Sequence, residues 1–600
     1  MENQFSSSHS ATTYNAKSIA VLPFVNLSAD PENEYFSDGI TEEIINALTK
    51  VASLKVTART SSFAFKGKDQ DIREIARVLG VANILEGSVR KAGKRVRITA
   101  QLIQASDGFH LWSRNFDREL ADIFALQDEI SLLIADQIRE NFGHFELQEH
   151  LVEPPTANLE AYNWYLKGRY HQLKWNNDDL HKSVDCFKRS VDLDPTYALA
   201  YFGLVQSYGI MATWAFTEPA LAMQMAGEYL EKGMYYQPDL PEGHYTLASV
   251  EFWNFWNFQK GHEHYSQALK LNPAYTDAHV GIAELYTAVG DFDLALMHAE
   301  KALALNPLAA THLFTKGNIF YYTGQYTEAI AYMYKILEID PQWKLTFPVR
   351  LASYILLKDK QSLNSLLESY PDIPIAHHVR ALYERFHYGA QEWSYENDKN
   401  TPTYYPWELY SYIYSGREEQ AIQNLKKGIK DQKGPYVNFK VDPFLQPLRK
   451  RPDFQQLVQE LYGNLQLTSV FPGPTTDTSK LASNERYAYQ EKLDRAMEEE
   501  ELYLDANLSL KKLADHIDLH SNKLSWLLNE HVGKNFNEYV NGYRLEAFKT
   551  KALSPDYQHL TLLGIAYESG FNSKSVFNQF FKQSTGTTPK AWVKSHRKEK

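Results

Sequence analysis

Apolar and polar positions follow three successive rhythms along the 600-residue chain. Residues 18–142 mix the periods of strand and helix. Residues 18–24 form a short apolar run, the mark of a buried strand. Residues 34–51 place Ile40, Ile44, Ile45 and Leu48 on one helical side. A strand is expected near residues 54–57, a helix over 71–79, and a hairpin of 81–90 and 94–103 around Ala92-Gly93. In its second arm Val96, Ile98, Ala100 and Leu102 alternate with Arg97, Thr99 and Gln101, the period-two pattern of a strand buried on one face. A strand over 110–115 and a helix over 122–140 complete a mixed α/β domain, residues 18–142.

From residue 155 the pattern becomes that of repeated helical hairpins. Asp194-Pro195, Gln237-Pro238, Asn272-Pro273, Asn306-Pro307 and Asp340-Pro341 each close a helical stretch, with the prolines 43, 35, 34 and 34 residues apart. A 34-residue period is that of the tetratricopeptide repeat, in which proline stops the second helix of each hairpin. Tyr286, Ala295 and Ala302 stand 21, 12 and 5 residues before Pro307, and Phe320 and Ala329 repeat the first two offsets before Pro341. Small alanines let paired helices approach, while the aromatic fills the gap between hairpins. The regular repeats are assigned to residues 155–345. Residues 346–463 are assigned to degenerate helical repeats and a cap, with helices over 361–369 and 419–429. Stacked hairpins of this kind form an α-solenoid whose surface takes peptides or partner domains.

Residues 464–484, with Pro472-Gly-Pro474 and a Thr/Ser cluster, have the composition of a flexible linker. The last segment, residues 485–600, opens on a helix over 485–503 whose acidic run 498–501 would face away from a polyanion. Two short paired helices follow. Leu510, Leu513, Ala514 and Ile517 give one an apolar face, and Leu524, Leu527 and Leu528 do so for the next, leaving Asn522, Lys523, Ser525 and Trp526 outward. The arrangement recurs about fifty residues on: a helix over 560–569, a turn at Gly570, and a second helix over 573–583. There Phe577, Phe580 and Phe581 face inward and Lys574, Ser575, Asn578 and Gln579 outward. A tight turn before a polar second helix is the helix-turn-helix pattern. Between the units, residues 536–553 form a helix of about 27 Å at 1.5 Å per residue, close to the roughly 34 Å between successive major grooves on one duplex face.

Charge changes the picture at this point. Sixty-two Lys/Arg against 74 Asp/Glu give a net charge of −12, which excludes a uniformly basic coat. Residues 503–600, however, hold 14 Lys/Arg and 9 Asp/Glu, a local +5, and the first 502 residues hold −17. A basic end on an acidic body points to nucleic acid at that end. The length implies roughly three to five domains. The 39 Tyr, 31 Phe and 11 Trp are assigned mainly to hairpin junctions, and the single Cys186 fits a reducing compartment. Residues 1–17 are Ser/Thr-rich without the apolar run of a signal peptide and read as a disordered tail. The longest uncharged stretch, 195–217, is broken by Pro195, Gln206 and Ser207 and falls short of a membrane span. A cytoplasmic location without membrane attachment is expected.

Other candidate chemistry is weak. Gly87 and Gly93-Lys94 are one residue too far apart for a phosphate loop, and Arg95 stands where a Ser or Thr would hold magnesium, so they read as hairpin residues. His262-Glu263-His264 and His377-His378 lack metal-ligand spacing and read as surface histidines. No nucleophile elbow or catalytic triad pattern is found. No enzyme, cofactor or metal is expected.

Two resemblances add to this reading. Ile19-Ala-Val-Leu-Pro-Phe24, Glu34-Tyr-Phe-Ser-Asp-Gly39, Thr57-Ala-Arg-Thr-Ser-Ser-Phe63, Leu85-Glu-Gly-Ser-Val-Arg90 and Asp122-Ile-Phe-Ala-Leu-Gln127 resemble the TolB-like N-terminal domain. That domain precedes helical repeats in bacterial regulators and in proteins with adenylate-cyclase domains. The resemblance implies a non-catalytic sensory or interaction role. Residues 442–458 resemble the segment that closes repeat arrays behind such domains. At the other end, Leu513-Ala514, Leu524-Ser525, Gly533-Lys-Asn-Phe536, Tyr543-Arg-Leu545, Ile565-Ala566, Gly570-Phe571, Phe577, Phe581-Lys582 and Gly586-Thr-Thr-Pro589 resemble the AraC-type DNA-binding domain. Asp518, Gly564 and Val593 depart from that pattern, where a turn glycine, an acidic residue and an arginine are usual.

The resemblance implies base reading by Asn522, Lys523, Ser525 and Trp526 in one groove and by Lys574, Ser575, Asn578 and Gln579 in the next. Trp526 also fits a core position. Arg544, Lys582 and Lys590 are candidates for phosphate contact or for local packing. The expected protein is therefore multidomain and mainly α: a TolB-like α/β domain, a tetratricopeptide α-solenoid and an all-α double helix-turn-helix domain. Its expected role is a sequence-specific transcription regulator whose body senses a signal or partner. Double-stranded DNA, a protein or peptide on the repeats, and RNA polymerase are the partner classes. The alternative is a repeat scaffold whose helix-turn-helix domain docks protein instead of DNA.

Overall fold

The computed structural model describes residues 15–174, 176–213, 216–370, 376–389, 404–467, 480–481 and 483–597. Most of the expected N-terminal tail and most of the expected linker lie outside the described residues. The chain divides into two compact units. One holds the N-terminal α/β domain together with the C-terminal module; the other comprises residues 58–64 and 155–473.

The α/β domain is built on one sheet. Strands β1 (Ser18–Val21), β2 (Val25–Asn26), β3 (Lys55–Val56), β4 (Asn83–Ala92), β5 (Arg95–Gln104) and β6 (His110–Glu119) are ordered β3-β1-β4-β5-β6, with β2 beside β4. β1 runs parallel to β3 and β4, whereas β4, β5 and β6 form an antiparallel meander. β1 is buried throughout. β5 alternates as its sequence requires: Val96, Ile98, Ala100 and Leu102 are buried, while Arg95 and Arg97 stay exposed and pair with Asp117 at 2.8 and 2.6 Å. Gly93 turns the hairpin with φ +58°. A Cβ on Gly87 would come within 2.9 Å of the Phe24 ring, so this glycine serves packing. Helices α1 (Glu34–Thr49), α2 (Ile72–Leu79) and α3 (Ile123–Phe142) complete the domain, with α1 and α3 packed on each other.

The second unit is a row of helical hairpins, among them Leu159–Gln172 with Asn177–Leu193, Thr276–Val289 with Phe292–Leu305, and Ala310–Tyr322 with Tyr326–Ile339. The residues before the repeat prolines explain the stops. Asp194, Gln237, Asn272, Asn306 and Asp340 all leave the helical region, with φ between −133° and −141°. A following proline ring forces this extended geometry. The 43-residue spacing arises because Ala198–Thr213 and Pro219–Tyr236 are 16 and 18 residues long, against 14 in each helix of the unit ending at Pro307. Tyr286, Ala295, Ala302 and Ala329 are buried at the hairpin junctions. Residues 58–64 belong with this unit: Ser61 Oγ donates to Asn306 Oδ1 at 2.5 Å beside the cap of one repeat helix.

The histidine reading needs correction. His262 is buried, with its Nε2 2.9 Å from the Tyr286 hydroxyl, and His264 is half-buried with its Nδ1 3.2 Å from that of His244. Both lie in the packed repeat interior, where the aromatic ring outweighs the polar edge once that edge is hydrogen-bonded. Among the described residues, no group of three or more His, Cys, Asp or Glu side chains is placed to hold a metal ion. No described helix is long and apolar enough to cross a membrane.

Candidate nucleic-acid interface

The C-terminal module consists of two pairs of short helices, the first and second unit, joined by a long helix. In the first unit, α4 (Leu510–His516) starts at Ser509, whose hydroxyl accepts from the Lys512 amide at 3.2 Å. Leu510, Leu513 and Ala514 are buried, and Ile517 closes the turn. The chain reverses at Asp518, a non-glycine residue with φ +58°. α5 (Ser521–Trp526) follows and relaxes into a wider π-type turn, Leu527–Val532, which ends at Gly533 with φ +74°. Spacer helix α6 (Phe536–Leu553) begins with a capping box: Asn535 Oδ1 accepts from the Glu538 amide at 2.9 Å and Glu538 accepts from the Asn535 amide at 3.0 Å.

The second unit repeats the design with different turn chemistry. α7 (Leu562–Glu568) is capped by Thr561, and the turn falls on Gly570 with φ +91°. α8 (Lys574–Thr585) packs Phe577 and Phe581 onto Phe548 of α6, with ring centroids 4.7 and 5.5 Å apart. α9 (Pro589–His596) closes the module.

The proposed reading residues have unequal surroundings. Lys574, Ser575 and Asn578 are exposed along α8, and Lys582 and Lys590 are exposed beside them. Gln579 is half-buried, and its Nε2 lies 3.4 Å from Asp107 Oδ2 in the α/β domain. In the first unit the expected outward row does not hold. Asn522 and Lys523 are half-buried, while Ser525 and Trp526 are only 2% and 8% exposed. Trp526 joins the apolar core that includes Leu481 and Leu493, with the Arg486 guanidinium 5.9 Å from its ring centre. Ser525 lies between Asn522 and Asn529 on the side of α5 that meets the end of α3.

That contact is extensive and polar. The Leu147 amide donates to Asn522 Oδ1 at 3.2 Å, and Asn522 Nδ2 donates to the Leu147 carbonyl at 3.1 Å. Arg139, 3% exposed, donates a further bond to Asn522 Oδ1 and pairs with Asp136. The Leu510 amide donates to Glu140 Oε1 at 2.8 Å, and Asn535 and Asn537 donate to the carbonyl and side chain of Asn141 at 3.0 and 2.8 Å. Burial, with Asp136 adding to it, raises the Glu140 carboxyl to about 7 against the pull of the Leu510 amide and Arg139.

Arg544 is placed for packing. It is 6% exposed, and its guanidinium donates to the carbonyls of Tyr503 and Asp505 at 2.7 and 2.8 Å, tying the segment before α4 to the middle of α6. Burial lowers its pKa to about 10. A phosphate cannot reach a group consumed in this way, so Arg544 leaves the set of phosphate candidates. Sequence periodicity missed Arg139, Glu140 and Asn141, which end a helix whose own pattern is explained by the α/β domain, and Leu147, which lies in the irregular chain after it.

Comparisons with known proteins find family matches in three stretches of the chain. A helix-turn-helix domain family matches residues 513–595, and a tetratricopeptide repeat family matches residues 282–342. Residues 15–133 match the family described as the HilA/YgeH-like transcriptional regulator, second domain. "Putative adenylate cyclase 3" of Rhizobium meliloti (strain 1021) is 41% identical over 238 residues, 39% of this chain and 40% of that protein. An uncharacterised HTH-type transcriptional regulator of Staphylococcus aureus (strain COL) is 30% identical over 110 residues, 18% of this chain and 14% of that protein. The chain thus spans less than half the length of either relative. Among solved structures, the type IV pilus biogenesis factor PilW is similar over 37% of this chain and all of its own, at 15% identity and a TM-score of 0.31. The chain therefore combines a helix-turn-helix module and a regulator-type domain with tetratricopeptide repeats.

Proposed function

We propose that this protein is a sequence-specific DNA-binding transcription regulator whose two helix-turn-helix units read adjacent major grooves. One observation carries the reading: α8 presents Lys574, Ser575 and Asn578 to solvent from a rigid aromatic core, flanked by exposed Lys582 and Lys590. Lysine donates to guanine O6 and N7, and asparagine pairs with adenine through both ends of its amide. Lys582 and Lys590 supply phosphate contacts. In the first unit Asn522 and Lys523 are the base readers. Ser525 and Trp526 support them from beneath.

The α/β domain, through its TolB-like motifs and its match to a regulator domain, serves as the sensory or interaction part. The repeats take a protein or peptide partner, and the regulator works in the cytoplasm with RNA polymerase as its eventual target. The test is selection of duplexes from a random pool by the full chain, followed by a salt titration of the enriched site. Lys574→Ala is expected to cost about 1–3 kcal/mol on the selected site and little on other sequences. Equal loss on all sequences would reassign Lys574 to phosphate contact.

A second reading has its own observation. Asn522 already pairs with protein backbone, which supports a scaffold whose helix-turn-helix module docks protein. Under that reading the pool yields no enriched duplex even at low salt.

A further inference from the structure

The residues covering the first unit are chemically matched to the reading they obstruct. An asparagine recognises adenine by accepting from the N6 amine and donating to N7. Asn522 makes the same two-way contact with the peptide groups of Leu147, whose N–H and C=O take the places of N6 and N7. Arg139 occupies the remaining acceptor capacity of Oδ1. Oδ1 thus accepts two bonds and Nδ2 donates one, so the two-way contact that an adenine edge would need is already taken.

The cover reaches beyond one side chain. Residues 139–147 touch α4 at the Leu510 amide, α5 at Asn522, and the start of α6 at Asn535 and Asn537. A Cβ on Gly143 would lie 3.2 Å from Asn529 Oδ1, so the backbone itself lies against the turn after α5. Each of these hydrogen bonds has only a modest net worth when bonds to DNA or water replace it, so a ligand-driven exchange is energetically within reach. On the second unit the α/β domain reaches Gln579 through one long hydrogen bond, and Lys574, Ser575 and Asn578 stay exposed.

We propose that residues 139–147 form an internal cover that occupies the first reading helix in place of DNA, so that the chain reads with its second unit alone until the cover is withdrawn. The proposal rests on the DNA-reading function above and adds its regulation. A displacement of α3 by whatever the α/β domain binds would release α5 directly.

The test uses the full chain as wild type, Arg139→Ala, Leu147→Pro and Asn141→Ala. Leu147→Pro removes the amide that donates to Asn522, and Asn141→Ala removes only the side-chain acceptor for Asn537. The probe is a labelled duplex that the Arg139→Ala chain selects from a random pool, with binding followed by anisotropy. Arg139→Ala and Leu147→Pro are expected to bind at least tenfold more tightly than wild type, and Asn141→Ala by a smaller factor in the same direction. A misfolded variant would bind more weakly. Adding the duplex to wild type should also speed hydrogen exchange at the Leu147 and Leu510 amides. Equal affinity of all four chains, with those amides still protected in the complex, would overturn the cover while leaving DNA reading intact. If none of the four selects any duplex, both the cover and the DNA reading are overturned.

Discussion

The two short-helix units of the C-terminal module share a plan and differ in what surrounds it. The first turns on Asp518 at φ +58°, and Asn522 on its second helix is hydrogen-bonded to residues 139–147. The second turns on Gly570 at φ +91° and leaves Lys574, Ser575 and Asn578 in solvent. The same scaffold therefore leaves one second helix with an exposed polar row and the other hydrogen-bonded to protein. The local sequence of each unit gives little sign of this difference, because the covering residues lie far back along the chain, 370 residues from Leu510 to Glu140.

The comparison can be broken most forcefully at the second turn. A Cβ on Gly570 would meet the Tyr503 carbonyl at 2.2 Å and Leu504 Cα at 3.0 Å. Gly570→Ala should destabilise the module by about 2–5 kcal/mol, combining backbone strain with overpacking. Urea unfolding of the full chain followed at the C-terminal module measures this, and a loss below about 1 kcal/mol would show that the turn can relax. Arg544→Ala comes next. It leaves two carbonyls without their donor and should cost about 2–4 kcal/mol of stability. The salt dependence of DNA binding should stay unchanged, whereas Lys582→Ala should lower the salt slope by about one unit with little loss of stability. If the two variants exchange these phenotypes, Arg544 is the phosphate contact after all.

The first turn offers a smaller effect of opposite sign. Left-handed backbone costs an aspartate roughly 1 kcal/mol more than a glycine. Asp518→Gly should therefore raise stability by about that amount in the same unfolding assay. The smallest effect is the pH dependence of the cover. The seated Glu140 carboxyl titrates near about 7, above its ordinary 4.5, so the seated state holds the proton more tightly than the released one. Its contribution is fully present below the ordinary value and is lost as pH rises through about 7. Protection of the Leu510 amide, corrected for intrinsic exchange, should fall between pH 6 and pH 8 by about threefold or more. Rising protection would contradict the assigned sign.

Much of the architecture was legible because periodicity is local. The alternation of Val96, Ile98, Ala100 and Leu102 set out β5, and the repeat prolines marked where helices stop. Residues 536–553, expected as a helix, form α6 over that same span. The site was legible only in part. Phe577 and Phe581 are buried and Lys574, Ser575 and Asn578 exposed as expected on α8, whereas Phe580 and Gln579 are only half-buried. The same reasoning failed at Ser525 and Trp526, which are buried; Trp526 packs into the core with Leu493 and under Arg486 of the helix Ser483–Asp494, partners that lie outside its own helix. Arg544 was ambiguous for a related reason: its partners are backbone carbonyls, which no residue type advertises. His262 was misassigned to the surface because its tyrosine partner sits one helix away, 24 residues on.

The central claim is that the exposed row on α8 reads DNA while its counterpart on α5 is held back. Parallel selection from a random duplex pool, using the full wild-type chain and Arg139→Ala, tests it most directly. Wild type should enrich a site confined to one major groove. Arg139→Ala should enrich two such sites about 10 base pairs apart, the spacing of adjacent grooves on one duplex face. Identical two-groove sites from both chains, or no enrichment from either at low salt, would contradict the account.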